Sequence, residues 1–409
     1  MGITVPGGVT VAPVNVSDAT VKMIDDVINV IQGGAGTDPN VVNSTVQSYV
    51  PGQDAPPPPS TTDQGIFTVL VADTTQAGST EGPIALSVPD GYDALVVSGS
   101  AAVSVTGNAN ATEQLIALND ADNTVYTAGG SGTVVAGQGN NLIGTATTGG
   151  AANIIAGNGN NTIVAASGNN TIAAGVGHNQ ILIVGGNNVA NVAGASTVFG
   201  GAGSDTVGAF GSGAMVVGGT GSMTAVNVGS NNTIIGGAGG GLLSGGTGTN
   251  STIVGGAGTE TIIGGAGGDV LFAGGAGGDL VVAGSGSQTL SGAASTGSNT
   301  FIAGSGSTLI GAGIGNDTVI SGTGQSTVFG GGGANLYATF SSHSAGSTTY
   351  IADFSFGAGD RLTVQGFGMT NQQLAQSATV SGGDTIITLP DGTRIILAGV
   401  TNVNSSFFI

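Results

Sequence analysis

The chain has 409 residues, 82 of them glycine, and charged side chains make up 6% of it, against about 25% in an ordinary soluble domain. Three basic residues face 22 acidic ones, giving a formal net charge of −19, so we expect no nucleic acid partner because the chain cannot neutralise a phosphate backbone. Cysteine is absent, which excludes disulfide scaffolds, thiolate metal sites and cysteine nucleophiles, and we expect no membrane span because no apolar run is long enough.

Residues 1–50 form an N-terminal segment with a helix predicted over residues 17–32, which Ser17 or Asp18 can cap. The segment lacks a basic region followed by an apolar one, so we expect no cleavable signal peptide. The proline-rich segment 51–65 predicts a stiff extended spacer. The helix is then either a packing element on the next region or an assembly helix held away from it. Its apolar stripe comprises Val21, Ile24, Val27, Ile28 and Ile31.

No proline occurs between Pro89 and Pro390, although glycine, valine, isoleucine and threonine are abundant there. Proline is excluded from central strands because it cannot donate a hydrogen bond to the neighbouring strand. The stretch therefore predicts continuous β-structure with tight glycine turns. Residues 66–128 alternate only loosely and predict irregular β-structure, whereas a short period begins after Gly129.

Residues 129–340 contain nonapeptides of the pattern G-G-x-G-x-D-x-U-x, where U is a large apolar residue. Three copies occupy residues 255–263, 264–272 and 274–282, and an isolated copy occupies 200–208. The glycines allow a turn with positive φ, the acid points into the turn, and the last three residues form a short strand. This pattern resembles the RTX family of calcium-binding proteins. The resemblance implies an all-β fold, a parallel β-roll or β-solenoid in which residues 18 apart stack.

The resemblance also implies Ca²⁺ as the ligand of the repeat turns. The candidate metal residues are Asp205, Glu260, Asp269, Asp279, Asp317, Asp353 and Asp360, with Gly265, Gly267, Gly275 and Gly277.

Asparagine replaces the turn acid in most repeats, and a neutral amide holds Ca²⁺ weakly. We therefore expect most turns to be metal-free and joined by a ladder of asparagine side chains, with Ca²⁺ concentrated near residues 255–283. A solenoid free of metal throughout is the alternative. The asparagines concerned are Asn141, Asn161, Asn170, Asn179, Asn232, Asn299 and Asn335.

Residues 341–409 are similar to the β cap that follows RTX repeats. Residues 382–389 and 390–397 predict a hairpin closed by the turn Pro390-Asp391-Gly392. The apolar end after Ser405 and Ser406 is similar to the uncleaved C-terminal signal of type I secretion substrates. It implies a secreted protein, extracellular or at the cell surface, although a cap without a signal is also possible.

The sequence offers no catalytic constellation, since His178 lies in a repeat turn and the upstream region lacks H-E-x-x-H and G-x-S-x-G. We expect a non-enzymatic structural protein that forms a homo-oligomer or polymer, as a surface layer, sheath or matrix filament, with cell-surface polysaccharide as a further partner. The alternatives are an adhesin or ice-binding solenoid, and a passenger whose only role is to fold outside the cell when it meets Ca²⁺.

Overall fold

The computed structural model describes residues 3–4, 10–11, 44–58, 67–77, 82–147, 150–342 and 344–409. They belong to two compact units, the first ending at Gly211 and the second beginning at Ser212. Each unit is a parallel β-solenoid with almost no helix. The helix predicted over 17–32 lies outside the described residues.

The first unit contains a short antiparallel pair and two parallel sheets. The pair is β1 (Ile3–Thr4) with β2 (Thr10–Val11). One parallel sheet consists of β3 (Ser44–Tyr49), β4 (Phe67–Asp73), β6 (Ala94–Ser98), β8 (Glu113–Ala117), β10 (Ser131–Val135), β12 (Ala152–Ala156), β14 (Thr171–Ala174), β16 (Val189–Val192) and β18 (Asp205–Ala209). The other consists of β5 (Ile84–Ser87), β7 (Val103–Thr106), β9 (Thr124–Tyr126), β11 (Leu142–Gly144), β13 (Thr162–Ala165), β15 (Gln180–Ile183) and β17 (Thr197–Phe199).

One unbroken column of apolar side chains forms the core behind the first of these parallel sheets. Each member is fully buried and pairs in register with the next. The column consists of Leu70, Leu95, Ile116, Val134, Ile154, Ile172, Ala190 and Val207. The described residues of this region, 67–77 and 82–128, therefore share the register of the repeats, and the prediction of irregular β-structure there is corrected. The sequence concealed this order because the loops between these strands have no fixed glycine spacing.

The proline-rich segment also differs from the predicted spacer. β3 and β4 lie on either side of it and pair in parallel from Ser44↔Phe67 to Tyr49↔Ala72. The Tyr92 hydroxyl donates a hydrogen bond of 3.0 Å to the Pro56 carbonyl. The part described, residues 51–58, is thus a loop between adjacent coils. Proline is tolerated there because a connecting loop does not need its N–H for the sheet.

The second unit repeats the arrangement with two parallel sheets. One consists of β20 (Met223–Asn227), β22 (Gly241–Ser244), β24 (Glu260–Ile263), β26 (Leu280–Val282), β28 (Thr300–Ile302), β30 (Thr318–Ile320), β32 (Leu336–Phe340) and β34 (Arg361–Gln365). The other begins with β19 (Met215–Val217), β21 (Thr233–Ile235), β23 (Thr252–Val254), β25 (Val270–Phe272), β27 (Gln288–Ser291), β29 (Thr308–Gly311), β31 (Gln325–Phe329) and β33 (Thr348–Ile351). The central residue of nearly every short strand points inward, and Phe301 at the middle of β28 is fully buried.

The C-terminal residues complete the second unit with a change of strand direction. β33 pairs in parallel with β37 (Arg394–Leu397), which continues antiparallel to β36 (Asp384–Thr388) and then β35 (Ala378–Ser381). The single α-helix of the described residues is α1 (Asn371–Gln376). The helices in the described ranges are all too short or too polar for a transmembrane span.

The last residues of the chain pack against β34. Phe407 and Phe408 are buried, and the N–H of Ile409 donates to the carbonyl of Leu362 over 2.9 Å. The Phe407 ring stacks on Phe356 with centroids 4.4 Å apart. The segment predicted as a secretion signal is therefore folded into the C-terminal region.

Candidate metal sites in the repeat turns

Most of the candidate acids lie where a turn ends and a strand begins, and they form ladders along the coils, whereas Asp353 follows the end of β33. In the second unit, each backbone N–H of one ladder donates to the side-chain oxygen of the residue one coil later, over 2.7–3.2 Å. Asparagine and aspartate alternate freely along it because both present an acceptor oxygen. This acid–amide ladder consists of Glu260, Asp279, Asn299, Asp317, Asn335 and Asp360.

Asparagine ladders in the first unit follow the same rule. The N–H and side-chain amide of Asn161 both donate to Asn179 Oδ1, over 3.1 and 2.9 Å. Asn170 donates in the same way to Asn188, over 2.9 and 3.0 Å. All four side chains are buried. The predicted asparagine ladder is confirmed in the first unit, whereas Asn232, Asn299 and Asn335 belong to ladders mixed with serine or aspartate.

The turns around asparagine present carbonyl groups to the side chain. Asn161 Nδ2 donates to the carbonyls of Gly157 and Gly159, over 3.1 and 2.8 Å. Asn188 Nδ2 donates to Gly185 and Gly186 in the same manner, over 3.1 and 3.0 Å. The amide thus closes its turn as a donor and links neighbouring coils as an acceptor.

The turns around aspartate have the opposite polarity, with backbone N–H groups directed at the carboxylate. Asp205 Oδ2 accepts from Gly201 over 3.0 Å, and Asp269 Oδ2 accepts from Gly265 over 2.6 Å. An ionised carboxylate carries only acceptors, so a turn with inward carbonyls would repel it. Asp279, Asp353 and Asp360 likewise accept backbone N–H groups at both oxygens.

Two buried carboxylate oxygens depart from this rule. Within the described ranges, neither Glu260 Oε2 nor Asp317 Oδ2 accepts a hydrogen bond. Burial, with the nearby Asp279 carboxylate, raises the pKa of Glu260 to about 7, and burial raises the pKa of Asp317 to about 6. A proton or a cation at these oxygens would compensate their burial.

Glu260 and Asp279 fit a cation best. Glu260 Oε2 and Asp279 Oδ2 each lie 3.3 Å from the position that a Cβ would take on Gly255, so the two oxygens form a cradle between two coils. The Gly274 nitrogen lies 2.8 Å from the same position and donates its N–H to Asp279 Oδ2. Ca²⁺ prefers six to eight oxygen ligands, and backbone carbonyls would have to supply most of them. The described residues contain no group of three or more His, Asp or Glu placed to hold a metal.

The structure separates residues that the sequence analysis grouped together. Asp269 lies at the start of β25 and accepts from the N–H of Ser251, whereas Asp279 begins a strand of the opposite sheet. Gly275 and Gly277 have the expected positive φ, at 55° and 98°. Gly265 is a donor to Asp269, and Gly267 lies in the same turn.

Other residues occupy ladder positions that the motif did not reveal. Gln288 Oε1 accepts from the N–H of Gly284 over 2.8 Å, as an acid does. Ser251 is a second such residue, since its Oγ accepts from the N–H of Asn232 over 3.3 Å. Gln288 follows Asp269 by 19 residues, so the spacing alone could have identified it. Glutamine at this position departs from the Asp/Asn pattern of the nonapeptide.

Comparison with known proteins supports the repeat assignment. The family model described as RTX calcium-binding nonapeptide repeat (4 copies) matches five segments of the chain, residues 147–181, 193–209, 235–271, 254–290 and 311–338. No curated protein matches the sequence at a significant level. The extracellular lipase LipA from Serratia marcescens is a solved structure similar to the chain, with 15% identity and a TM-score of 0.21. The alignment covers 67% of this chain and 45% of the lipase, and at this level it does not bear on enzymatic activity.

Proposed function

Because the chain is an RTX-type calcium-binding β-roll repeat protein, we propose that it is a secreted, non-enzymatic structural protein. Its solenoid folds with Ca²⁺ outside the cell and assembles with further copies into a surface layer, sheath or filament. RTX proteins are typically exported by type I systems, which fits a location where Ca²⁺ is plentiful. The observation that carries the proposal is that the polar turn residues stabilise the fold. The acids and asparagines of the ladders are buried and hydrogen-bonded to backbone, so they serve the fold.

Charge supports a role for Ca²⁺ in assembly. At a formal net charge of −19, copies of the chain repel one another at low salt. Divalent cations screen or bridge exposed carboxylates, and they bind the Glu260–Asp279 cradle only when its two coils are stacked. Ca²⁺ therefore favours both the folded coil and the approach of copies.

The test is light scattering and negative-stain microscopy of the full chain in EDTA, in Mg²⁺ and in millimolar Ca²⁺. The proposal expects ordered polymers or sheets in Ca²⁺ and dispersed protein in EDTA. A chain that stays monomeric throughout favours the adhesin instead. Removal of residues 1–43, which keeps β3, tests whether the predicted helix contributes. The helix has no role in assembly if the shortened chain assembles as well as the full one.

A further inference from the structure

A shallow groove of about 490 Å³ lies on the second unit. It crosses five neighbouring strands of one sheet, β25, β27, β29, β31 and β33. At the strand spacing of about 4.8 Å, the groove is roughly 20 Å long. It is therefore long and narrow, a shape suited to an extended chain more than to a compact small molecule.

An in-register column of side chains forms the floor of the groove. Val270 pairs with Thr289, which pairs with Leu309, and the column continues through Thr327 to Tyr350. Leu309 is 44% exposed, and the other four are half-buried. Threonine hydroxyls thus alternate with apolar or aromatic surfaces from one coil to the next.

The polar groups exposed in the groove are uncharged. Exposed Gln325 adds an amide, and the remaining lining includes further serine and threonine hydroxyls. Asp269 is the one acid in the lining, and its buried carboxylate accepts from Ser251 and Gly265. The lining contains no lysine or arginine. Arg394 lies on β37, the strand next to β33 at the end of the groove, where it pairs with Thr348.

We infer that this groove binds a neutral polysaccharide chain. Hydroxyl and amide groups both donate and accept, as sugar hydroxyls require. Tyr350 offers a flat aromatic surface, and Leu309 an apolar one, to the C–H face of a sugar ring, and the tyrosine adds a polar end. A polyanion is disfavoured by the chain's net charge of −19 and by the lack of basic lining residues.

An extended peptide fits less well. Peptides that bind to sheets pair with a free strand edge, whereas the inner strands β27, β29 and β31 pair on both sides with their neighbours. The groove therefore offers side chains, not free backbone groups. The inference locates a polysaccharide site and does not depend on self-assembly.

The experiment measures binding of the full chain to immobilised neutral oligosaccharides of six or more sugars, with a polyuronate and an extended acidic peptide as comparison probes. We expect binding to at least one neutral glycan and none to the polyuronate or the peptide. Tyr350→Ala and Gln325→Ala should each weaken it about tenfold. Tyr126→Ala, an exposed aromatic residue in the first unit, is the matched control and should bind as the wild type does.

Thermal melting of each variant shows that the solenoid remains folded, and exposed Gln325 provides a second test if Tyr350→Ala loses its fold. Failure of every neutral glycan to bind, or preference for the polyuronate or the peptide, would overturn the inference. Binding by both groove variants that equals that of the wild type would also overturn it. Light scattering on the same samples reports assembly separately. A chain that polymerises without binding glycan disproves the groove alone.

Discussion

Glu260 and Asp279 lie at the start of neighbouring strands and direct their carboxylates toward one point. The Glu260 N–H donates to Asp279 Oδ1 over 2.8 Å, and the second oxygen of each side chain lies 3.3 Å from the Cβ position of Gly255. Two buried negative charges on adjacent coils repel each other unless a proton or cation lies between them. We therefore expect pH and Ca²⁺ to act on the solenoid at this pair.

Glu260→Gln should stabilise the metal-free protein and weaken its response to Ca²⁺. The amide keeps the acceptor for the Gly256 N–H and removes the repulsion, a gain of about 1–2 kcal/mol. The melting temperature in EDTA should rise, and its further rise on adding Ca²⁺ should shrink. Glu113→Gln, an exposed residue in β8, is the control. Equal Ca²⁺ responses in the wild type and Glu260→Gln would show that the cation binds elsewhere.

Stability without metal should fall as pH rises from about 4 to 7. The folded-state pKa values of about 7 for Glu260 and about 6 for Asp317 exceed the ordinary values of 4.5 and 3.8 for these side chains. In this window the folded state holds more protons than the unfolded state, so the free energy of unfolding decreases as pH rises. Urea titrations in EDTA at several pH values measure this free energy of unfolding.

Asp317→Asn isolates one of the two carboxyl groups. The amide keeps the acceptor that receives the Asn299 N–H and no longer titrates. The fall in stability between pH 4 and 6 should be smaller in this variant, leaving the decline up to pH 7 that belongs to Glu260. An unchanged pH profile would show that Asp317 does not contribute to the pH dependence of stability.

Asn161→Asp should destabilise the first unit by about 1–3 kcal/mol. The change removes the donor to the carbonyls of Gly157 and Gly159 and sets a carboxylate against them. Asn160→Asp is the matched control, because exposed Asn160 offers its oxygen to the His178 N–H and aspartate keeps that acceptor. Equal stabilities of the two variants would contradict the role assigned to turn polarity.

Asp205→Asn is the reverse exchange and should also destabilise, by about 1–3 kcal/mol at pH 7. Asp205 Oδ2 accepts the N–H of Gly201. An amide nitrogen in place of this oxygen would point its N–H groups at the Gly201 N–H, so two donors would face each other. Denaturant unfolding measures the loss. A variant as stable as the wild type would mean that the turn rearranges freely.

Part of this architecture follows from local sequence. The glycine period of the nonapeptides predicts the turns and strands of residues 255–282, and the 18-residue recurrence of Asn161 and Asn179 predicts their stacking. Both depend on short-range rules of turn geometry and side-chain size.

Other features depend on relationships that local sequence does not express. Leu70 and Leu95 stack although 25 residues separate them, because a loop between coils can vary in length without disturbing the core. Turn polarity is hidden because glycine accepts either orientation of the peptide. Predicting the groove that ends at Tyr350 would require the register of five coils to be known together.

The column from Leu70 to Val207 also has a mechanical consequence. Each coil of a solenoid contacts only the coils beside it, so a pulling force along the chain meets the same small set of hydrogen bonds and apolar contacts again at each coil. Releasing one coil of 18 residues, the spacing of Asn161 and Asn179, frees about 60 Å of extended chain. We therefore expect the solenoid to yield under tension in short steps, one coil at a time.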